Sequence, residues 1–187
     1  TYNGKDQALV TAGEATSGEM QYSSTQDGTY SKDIPTGKNE GDYTVYYKVV
    51  KDGVDVSDDN AKGSVSVKIA KKPVTVQPES FTIKQGDTLP TLVLKYVGLL
   101  GEDELTVGKD YQPAFKYMQG ENDVTGEPKE VGTYTIKWTN ASAEKFTNTN
   151  YDVKVVDTAT LTIEAKTPSA SGGGSYYPYT PSTPSTP

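Results

Sequence analysis

Apolar and polar residues alternate along several short stretches of this chain. The clearest example is residues 43–50, whose apolar or aromatic positions on one face are Tyr43, Val45, Tyr47 and Val49. The intervening positions are Thr44, Tyr46, Lys48 and Val50. A period of two is typical of a β-strand with one buried face. This stretch therefore predicts a strand whose Val45 side faces the core.

The same pattern returns in residues 132–139, with Tyr134, Ile136 and Trp138 on the predicted inner face. Gly-x-Tyr-Thr-(Val/Ile) begins at Gly41 and again at Gly132, 91 positions later. A second alternating stretch follows each copy, at residues 64–71 and 160–166. Two landmarks that recur at nearly one spacing indicate one structural unit used twice.

The rest of the chain reads as short strands and turns. Further strands are predicted at residues 7–11, 20–23, 74–78, 81–83, 92–96 and 112–118. Because no stretch of useful length has a 3.6-residue period, we expect little helix.

The repeated start of this strand matches the tyrosine corner of immunoglobulin-like sandwiches. There the tyrosine hydroxyl bonds to backbone a few residues upstream, and the residue two positions later points into the core. Val45 and Ile136 stand where immunoglobulin domains often have cysteine. We therefore predict structural roles for Tyr43, Tyr134, Val45, Ile136 and the inward Trp138.

These patterns predict an all-β protein of two tandem immunoglobulin-like β-sandwich domains, placed end to end, at residues 1–71 and 72–166. A unit of about 90 residues buries roughly two thirds of its unfolded surface, enough for a core of its own. Lys71-Lys72-Pro73 is a very short, proline-containing connection, so we expect little swivelling between the domains.

The first domain is shorter than the second at its beginning. Its Gly4 turn aligns with the Gly86 turn of the second domain, so residues 73–84 have no counterpart in it. Either a first strand was removed ahead of Thr1 or a neighbouring module supplies it. We therefore expect the first domain to have an open sheet edge, which invites pairing with another chain.

Residues 167–187 differ in composition from the two domains. A Gly/Ser stretch is followed by Pro-Ser-Thr repeats, which favour an extended polyproline conformation and build no core. We predict a disordered Pro/Ser/Thr-rich linker.

Composition excludes several functions. The 187 residues carry a net charge of −7, which argues against a nucleic-acid partner. The chain has no Cys and no His, so the usual structural zinc sites and the Ser-His-Asp and Cys-His arrangements are excluded. No run of about 18 apolar residues is present, so no membrane insertion is predicted. We expect neither an enzyme nor a cofactor.

One acidic run is a candidate calcium site. Asp52, Asp55, Asp58 and Asp59 offer the hard oxygen ligands that Ca²⁺ prefers. Their order departs from that of the helix–loop–helix calcium loop. The competing interpretation is a solvated loop without metal.

Exposed aromatic residues are candidate contacts for a sugar ring. Tyr46 is predicted to face outward, and Tyr30, Tyr111 and Tyr117 are further candidates. Packing in the core or across strands is the competing interpretation. Asn140-Ala141-Ser142 also matches a glycosylation sequon, which we interpret as coincidence.

The chain resembles the MBG repeats, the "mostly bacterial Ig-fold" modules of bacterial surface proteins. The first domain carries the likeness in Ile34–Lys48, and the second in Gly86-Asp87, Pro90, Val131–Ile136 and Asn150-Tyr151. Gln85 departs from the family, which often has Tyr there. The resemblance covers residues 1–166 and implies tandem modules on a secreted or wall-attached bacterial protein, without catalytic residues. Some surface immunoglobulin-like domains carry a Lys–Asn cross-link, but no strand pattern here places a lysine inward.

Three functions remain open at this point. The first is a non-catalytic spacer in a secreted or cell-surface bacterial protein, whose partners are neighbouring modules of the same chain. The second is an adhesin-like or glycan-binding module with a host protein or glycan as partner. The third is an accessory region of a secreted carbohydrate-active enzyme.

Overall fold

A computed structural model describes residues 1–58 and 61–167. Within these residues the only helical element is one short 3-10 turn, Ala143–Lys145, and no helix is long and apolar enough to cross a membrane. The predicted all-β class is confirmed. Asp59 and nearly all of the predicted linker, residues 168–187, lie outside the described part of the chain.

The strands are, in chain order, β1 (Gln7–Ala8), β2 (Glu19–Ser23), β3 (Thr36–Gly37), β4 (Gly41–Lys51), β5 (Val54–Asp55), β6 (Gly63–Ile69), β7 (Lys72–Pro78), β8 (Phe81–Lys84), β9 (Leu94–Val97), β10 (Thr106–Val107), β11 (Phe115–Gln119), β12 (Asn122–Val124), β13 (Gly132–Trp138), β14 (Phe146–Thr147), β15 (Tyr151–Val155) and β16 (Thr158–Glu164).

Strand pairing divides the described chain at residue 71. In residues 1–71, called here the first unit, β4 pairs antiparallel with β2, β5 and β6, and β1 pairs with β3. In residues 72–167, the second unit, one sheet has the order β12-β11-β13-β16-β8, another has the order β15-β7-β9, and β10 pairs antiparallel with β14. No described strand of one unit pairs with a strand of the other.

The five-stranded and three-stranded sheets of the second unit lie face to face, as in a β-sandwich. Strand β7 lies against β13 and β16 of the larger sheet. Val74 and Val76 of β7 are buried in the same apolar cluster as Trp138. The apolar–polar alternation in the sequence therefore arises because every second residue of a strand faces the opposite sheet and is buried there.

The repeat extends to the strand registers. Gly41 lies opposite Ile69, and Gly132 lies opposite Ile163. Tyr43 and Tyr134 follow two positions later, opposite Val67 and Leu161. Strands β4 and β6 of the first unit therefore correspond to β13 and β16 of the second.

The two units differ at the outer edge of this last strand. In the second unit β8 runs parallel to β16 and pairs Phe81 with Leu161. In the first unit no described strand lies on the corresponding side of β6. At the matching positions Val67 of β6 is only partly buried, whereas Leu161 of β16 is 1% exposed.

The buried core does not stop at the boundary between the units. One cluster contains Tyr2, Val45 and Ile69 of the first unit together with Val74 and Tyr151 of the second. A separate cluster at Tyr134, Ile136, Leu161 and Ile163 belongs to the second unit alone. The sequence predicted a core within each unit, and the structure joins the first unit's core to part of the second.

Candidate functional site

The repeated tyrosines make the same local contact in both units. The Tyr43 hydroxyl donates to the backbone carbonyl of Asn39 at 2.8 Å, and the Tyr134 hydroxyl donates to that of Glu130 at 2.9 Å. Each acceptor is four residues upstream. The preceding glycines, Gly41 and Gly132, have φ of +148° and +158°, a region that side chains rarely adopt.

The residues two positions after these tyrosines are core residues. Val45 is 1% exposed and Ile136 is fully buried. Trp138 is also buried, and its ring packs on Tyr111 and Phe146. The contacts of these residues are with the protein interior.

One polar contact across the boundary is made by the carboxylate of Asp103, in the second unit. Its Oδ1 accepts the Tyr2 hydroxyl at 3.2 Å and its Oδ2 accepts the Tyr151 hydroxyl at 2.6 Å. The Tyr151 oxygen also accepts the Leu100 N–H at 3.1 Å. The rings of Tyr2 and Tyr151 meet edge to face, with centroids 5.6 Å apart.

This environment holds both phenols protonated. Burial first, and then the hydrogen bond to Asp103, raises the pKa of Tyr151 to about 12. The same two causes, in the same order, raise the pKa of Tyr2. Across the ordinary pH range both tyrosines therefore stay hydrogen-bond donors to the carboxylate.

A second polar contact crosses the boundary at Asn150. Its Oδ1 accepts the Glu40 N–H at 2.8 Å, and its Nδ2 donates to Oδ1 of Asn39 at 3.2 Å. Its backbone carbonyl accepts the N–H of Lys72, the first residue of β7, at 2.9 Å. Since the Asn39 carbonyl also accepts the Tyr43 hydroxyl, the tyrosine corner of the first unit is connected directly to the second unit.

Tyr30 and Tyr46 are brought together on the outer surface of the first unit. They line an open depression of about 450 Å³, with Lys48 and Asp55 among its other residues. The Lys48 ammonium lies 4.4 Å from the centroid of the Tyr30 ring. One aromatic face of the depression is therefore occupied by the protein itself.

Tyr111 and Tyr117 belong to the other unit. The Tyr111 ring packs against Trp138 and Phe146, and its hydroxyl donates to the Asn140 carbonyl at 3.0 Å. Tyr117 packs against the second apolar cluster, and burial raises its pKa. Neither tyrosine lies with Tyr30 and Tyr46.

The three described calcium candidates, Asp52, Asp55 and Asp58, do not belong to any cluster of metal ligands. Asp52 lies in the turn between β4 and β5 with φ +50°. The Asp55 carboxylate accepts the Ser57 N–H at 2.9 Å, and hydrogen bonding by Ser57 lowers the pKa of this carboxyl. Among residues 1–58 and 61–167 no three acidic side chains are grouped as metal ligands would be.

Asn140 has a structural role that sequence reasoning missed. Its Oδ1 accepts the Trp138 Nε1–H at 3.0 Å and the Ala114 N–H at 2.9 Å, while its Nδ2 donates to the Gln112 carbonyl at 2.8 Å. The glycosylation sequon was the only sequence signal at Asn140, and these hydrogen bonds occupy both the oxygen and the nitrogen of its side-chain amide.

A Lys–Asn cross-link requires a buried lysine. In the described residues every lysine is at least partly exposed.

Comparison of the chain with protein-family models, with curated proteins and with solved structures finds no match.

Proposed function

We propose that this chain is a non-catalytic, rigid spacer made of two tandem immunoglobulin-like modules in a secreted or cell-surface bacterial protein. The equivalent registers of the two units and their matching tyrosine corners support the repeat of one module. The resemblance to MBG repeats supports the proposed location on the bacterial surface.

The observation that carries the spacer function is the boundary. Strand β6 ends at Ile69 and β7 begins at Lys72, so only two residues separate them. The Asp103 and Asn150 contacts then join the units on either side of this connection. A flexible junction would require a longer linker between the units and fewer contacts across their boundary.

Rigidity can be measured with spin labels, because the chain has no native cysteine. Thr29→Cys places a label on an exposed residue of the first unit, and Glu121→Cys places one on the second. We expect a single narrow distance distribution by double electron–electron resonance. A broad distribution in the otherwise unchanged chain would overturn the spacer function.

A matched pair of variants makes the test specific. Asp103→Ala combined with Asn150→Ala removes both boundary contacts and should broaden the distribution. Lys116→Ala, which breaks the exposed ion pair with Asp123 inside the second unit, should leave the distribution unchanged.

The depression at Tyr30 and Tyr46 favours a second candidate function, the binding of a glycan. The partly exposed Tyr46 ring offers a stacking face, and the Asp55 carboxylate in the same depression offers a hydrogen-bond acceptor for sugar hydroxyls. In a glycan array, binding that Tyr46→Ala abolishes would favour this function. Binding unaffected by Tyr46→Ala, or no binding at all, would reject this site.

A further inference from the structure

One hydrogen bond makes an end of the first unit equivalent to an end of the second. The Tyr2 N–H donates to the carbonyl of Ala70, immediately after β6, at 2.8 Å. The Gln85 N–H donates to the carbonyl of Glu164, the last residue of β16, at the same distance. Ala70 and Glu164 both follow matching register positions of their strands. Gln85 therefore stands in the second unit where Tyr2 stands in the first.

The tyrosine corner identifies a second pair of equivalent positions. Its acceptor carbonyl is that of Asn39 in the first unit and that of Glu130 in the second. The end of the second unit that carries Gln85 and Glu130 is called here the far end. It corresponds to the end of the first unit that lies at the boundary.

At the boundary the first unit presents an aromatic ring and uncharged polar groups. The Tyr2 ring is 4% exposed and meets the Tyr151 ring edge to face. The polar contacts that cross from the first unit come from the Tyr2 hydroxyl, the Asn39 amide and the Glu40 backbone N–H. Docking of the two units thus buries a ring and requires no charged side chain of the first unit.

The far end of the second unit is charged. An open depression of about 490 Å³ lies there, and no first-unit residue lines it. Where the boundary has Ala70, the far end has Glu164, which pairs with Lys84 at 2.6 Å. The depression is lined by five charged side chains, those of Lys84, Asp87, Glu127, Lys129 and Glu130.

The polar groups of the far end also contact one another. The Gln85 Nε2 lies 3.4 Å from a carboxylate oxygen of Glu130 and 3.5 Å from the backbone carbonyl of the residue before it. The backbone at this end is open, because a Cβ at Gly86 would meet nothing within 4 Å. A Cβ at Gly4, in the turn after Tyr2, would lie 3.1 Å from a methyl carbon of the second unit.

We propose that Tyr2 and Asn39 specify the rigid docking of a following unit, and that the far end, with Gln85 and Glu130 in their places, accepts none. A unit docked at the far end would find no ring to bury against. It would also take charged side chains out of water, which costs free energy that their pairing need not recover. In repeat proteins a polar outer face likewise closes the terminal unit.

This proposal rests on the rigid spacer proposed above and adds a polarity to it. The order of the two units is fixed by the side chains at the boundary. The rigid part ends at the far end of the second unit, whatever module is joined there.

Moving the two far-end residues to the boundary is the direct test in the full chain. Tyr2→Gln combined with Asn39→Glu should broaden the distance distribution between the same two spin labels, because the ring is lost and a charge is added. Amide chemical shifts of β4 and β6 show whether the first unit stays folded.

A matched control adds the same side chains elsewhere in the first unit. Ala12 and Thr16 are exposed in the loop between β1 and β2. Ala12→Gln combined with Thr16→Glu should leave the distribution narrow.

A three-unit chain tests the far end itself. A second copy of residues 71–166 is joined directly after Glu164, which reproduces the spacing between β6 and β7. With Glu121→Cys in the middle and added units, the distance distribution should be broad. Gln85→Tyr combined with Glu130→Asn in the middle unit should narrow it. If the added unit does not fold without a docked neighbour, the transfer of residues in the full chain decides alone.

The possible results distinguish failure of this proposal from failure of the spacer function. A broad distribution in the unchanged chain rejects the spacer function. A narrow distribution that stays narrow in the Tyr2→Gln, Asn39→Glu variant rejects the role of these two residues. A narrow distribution for the three-unit chain without further substitutions means that the far end does dock a unit, and this overturns the proposal.

Discussion

Tyr2 and Tyr151 lie on opposite sides of the boundary between the units and donate their hydroxyl hydrogens to the two oxygens of one carboxylate, that of Asp103. The two bonds are unequal, at 3.2 and 2.6 Å, and only the Tyr151 oxygen also accepts a backbone N–H. The second unit thus contributes Asp103, Tyr151 and the Leu100 N–H to this contact, and the first unit contributes the Tyr2 hydroxyl.

Removing the two hydroxyls separately should have unequal effects. Tyr151→Phe loses a short bond to a charged acceptor and leaves the Leu100 N–H without its partner, so we expect a loss of about 2 kcal/mol in the free energy of unfolding. Tyr2→Phe loses one longer bond and should cost less. Urea denaturation of the single and double variants measures both effects and their coupling. A larger loss for Tyr2→Phe would contradict the geometry.

Stability should fall at high pH because the pKa of Tyr151 is raised. The pKa is about 12 in the folded protein and about 10 for an unperturbed tyrosine. Between these values the folded state holds the proton that the unfolded state releases, so stability is complete below about pH 10 and declines toward pH 12. Thermal melts should show a shallower decline for Tyr151→Phe than for the unchanged chain. Identical slopes would show that Tyr151 contributes nothing to the decline.

The tyrosine corners should stabilise both units. Tyr43→Phe and Tyr134→Phe each remove one hydrogen bond to backbone, which is worth about 1 kcal/mol. Replacement by alanine also removes the ring and should cost several times more. The loss should be larger for Tyr134, which is buried, than for the partly exposed Tyr43. A melting temperature for Tyr134→Ala equal to that of the unchanged chain would contradict its place in the core.

Gly37 should tolerate no side chain. A Cβ at this position would lie 2.8 Å from the Tyr43 ring and 3.0 Å from a methyl carbon of Leu9. Gly37→Ala should therefore lower the melting temperature by displacing the corner tyrosine. Gly101→Ala is the control, because a Cβ there meets nothing within 4 Å. Equal effects of the two substitutions would mean that the ring is not held against Gly37.

Sequence alternation predicted the long central strands well. β4, β6, β13 and β16 agree with their predicted ranges within two residues at every end. In these strands every second residue lies on the inner face, so apolar residues recur with a period of two and the sequence pattern is clear. β15 was missed although Tyr151, Val153 and Val155 alternate, and the two-residue strands are too short to carry a period.

The boundary contacts could not be read from the sequence. Tyr2 and Asp103 are 101 positions apart, and Asn39 and Asn150 are 111 apart. A hydrogen bond between two distant polar groups leaves no periodic trace in the sequence, and the partner of each group is set only when the two units dock. For the same reason the sequence placed Tyr30 and Tyr46 among the exposed candidates but gave no sign that Lys48 lies over one ring.

The core that continues across the boundary has a consequence for how such repeats can be exchanged. Tyr2, Asn39 and Glu40 of the first unit are matched to Asp103, Asn150 and Tyr151 of the second. A unit transplanted beside a different neighbour keeps its strands and its tyrosine corner but loses these matched contacts. Similarity of sequence between the two copies therefore does not make them interchangeable, and recombination that preserves the fold must carry the boundary residues in pairs.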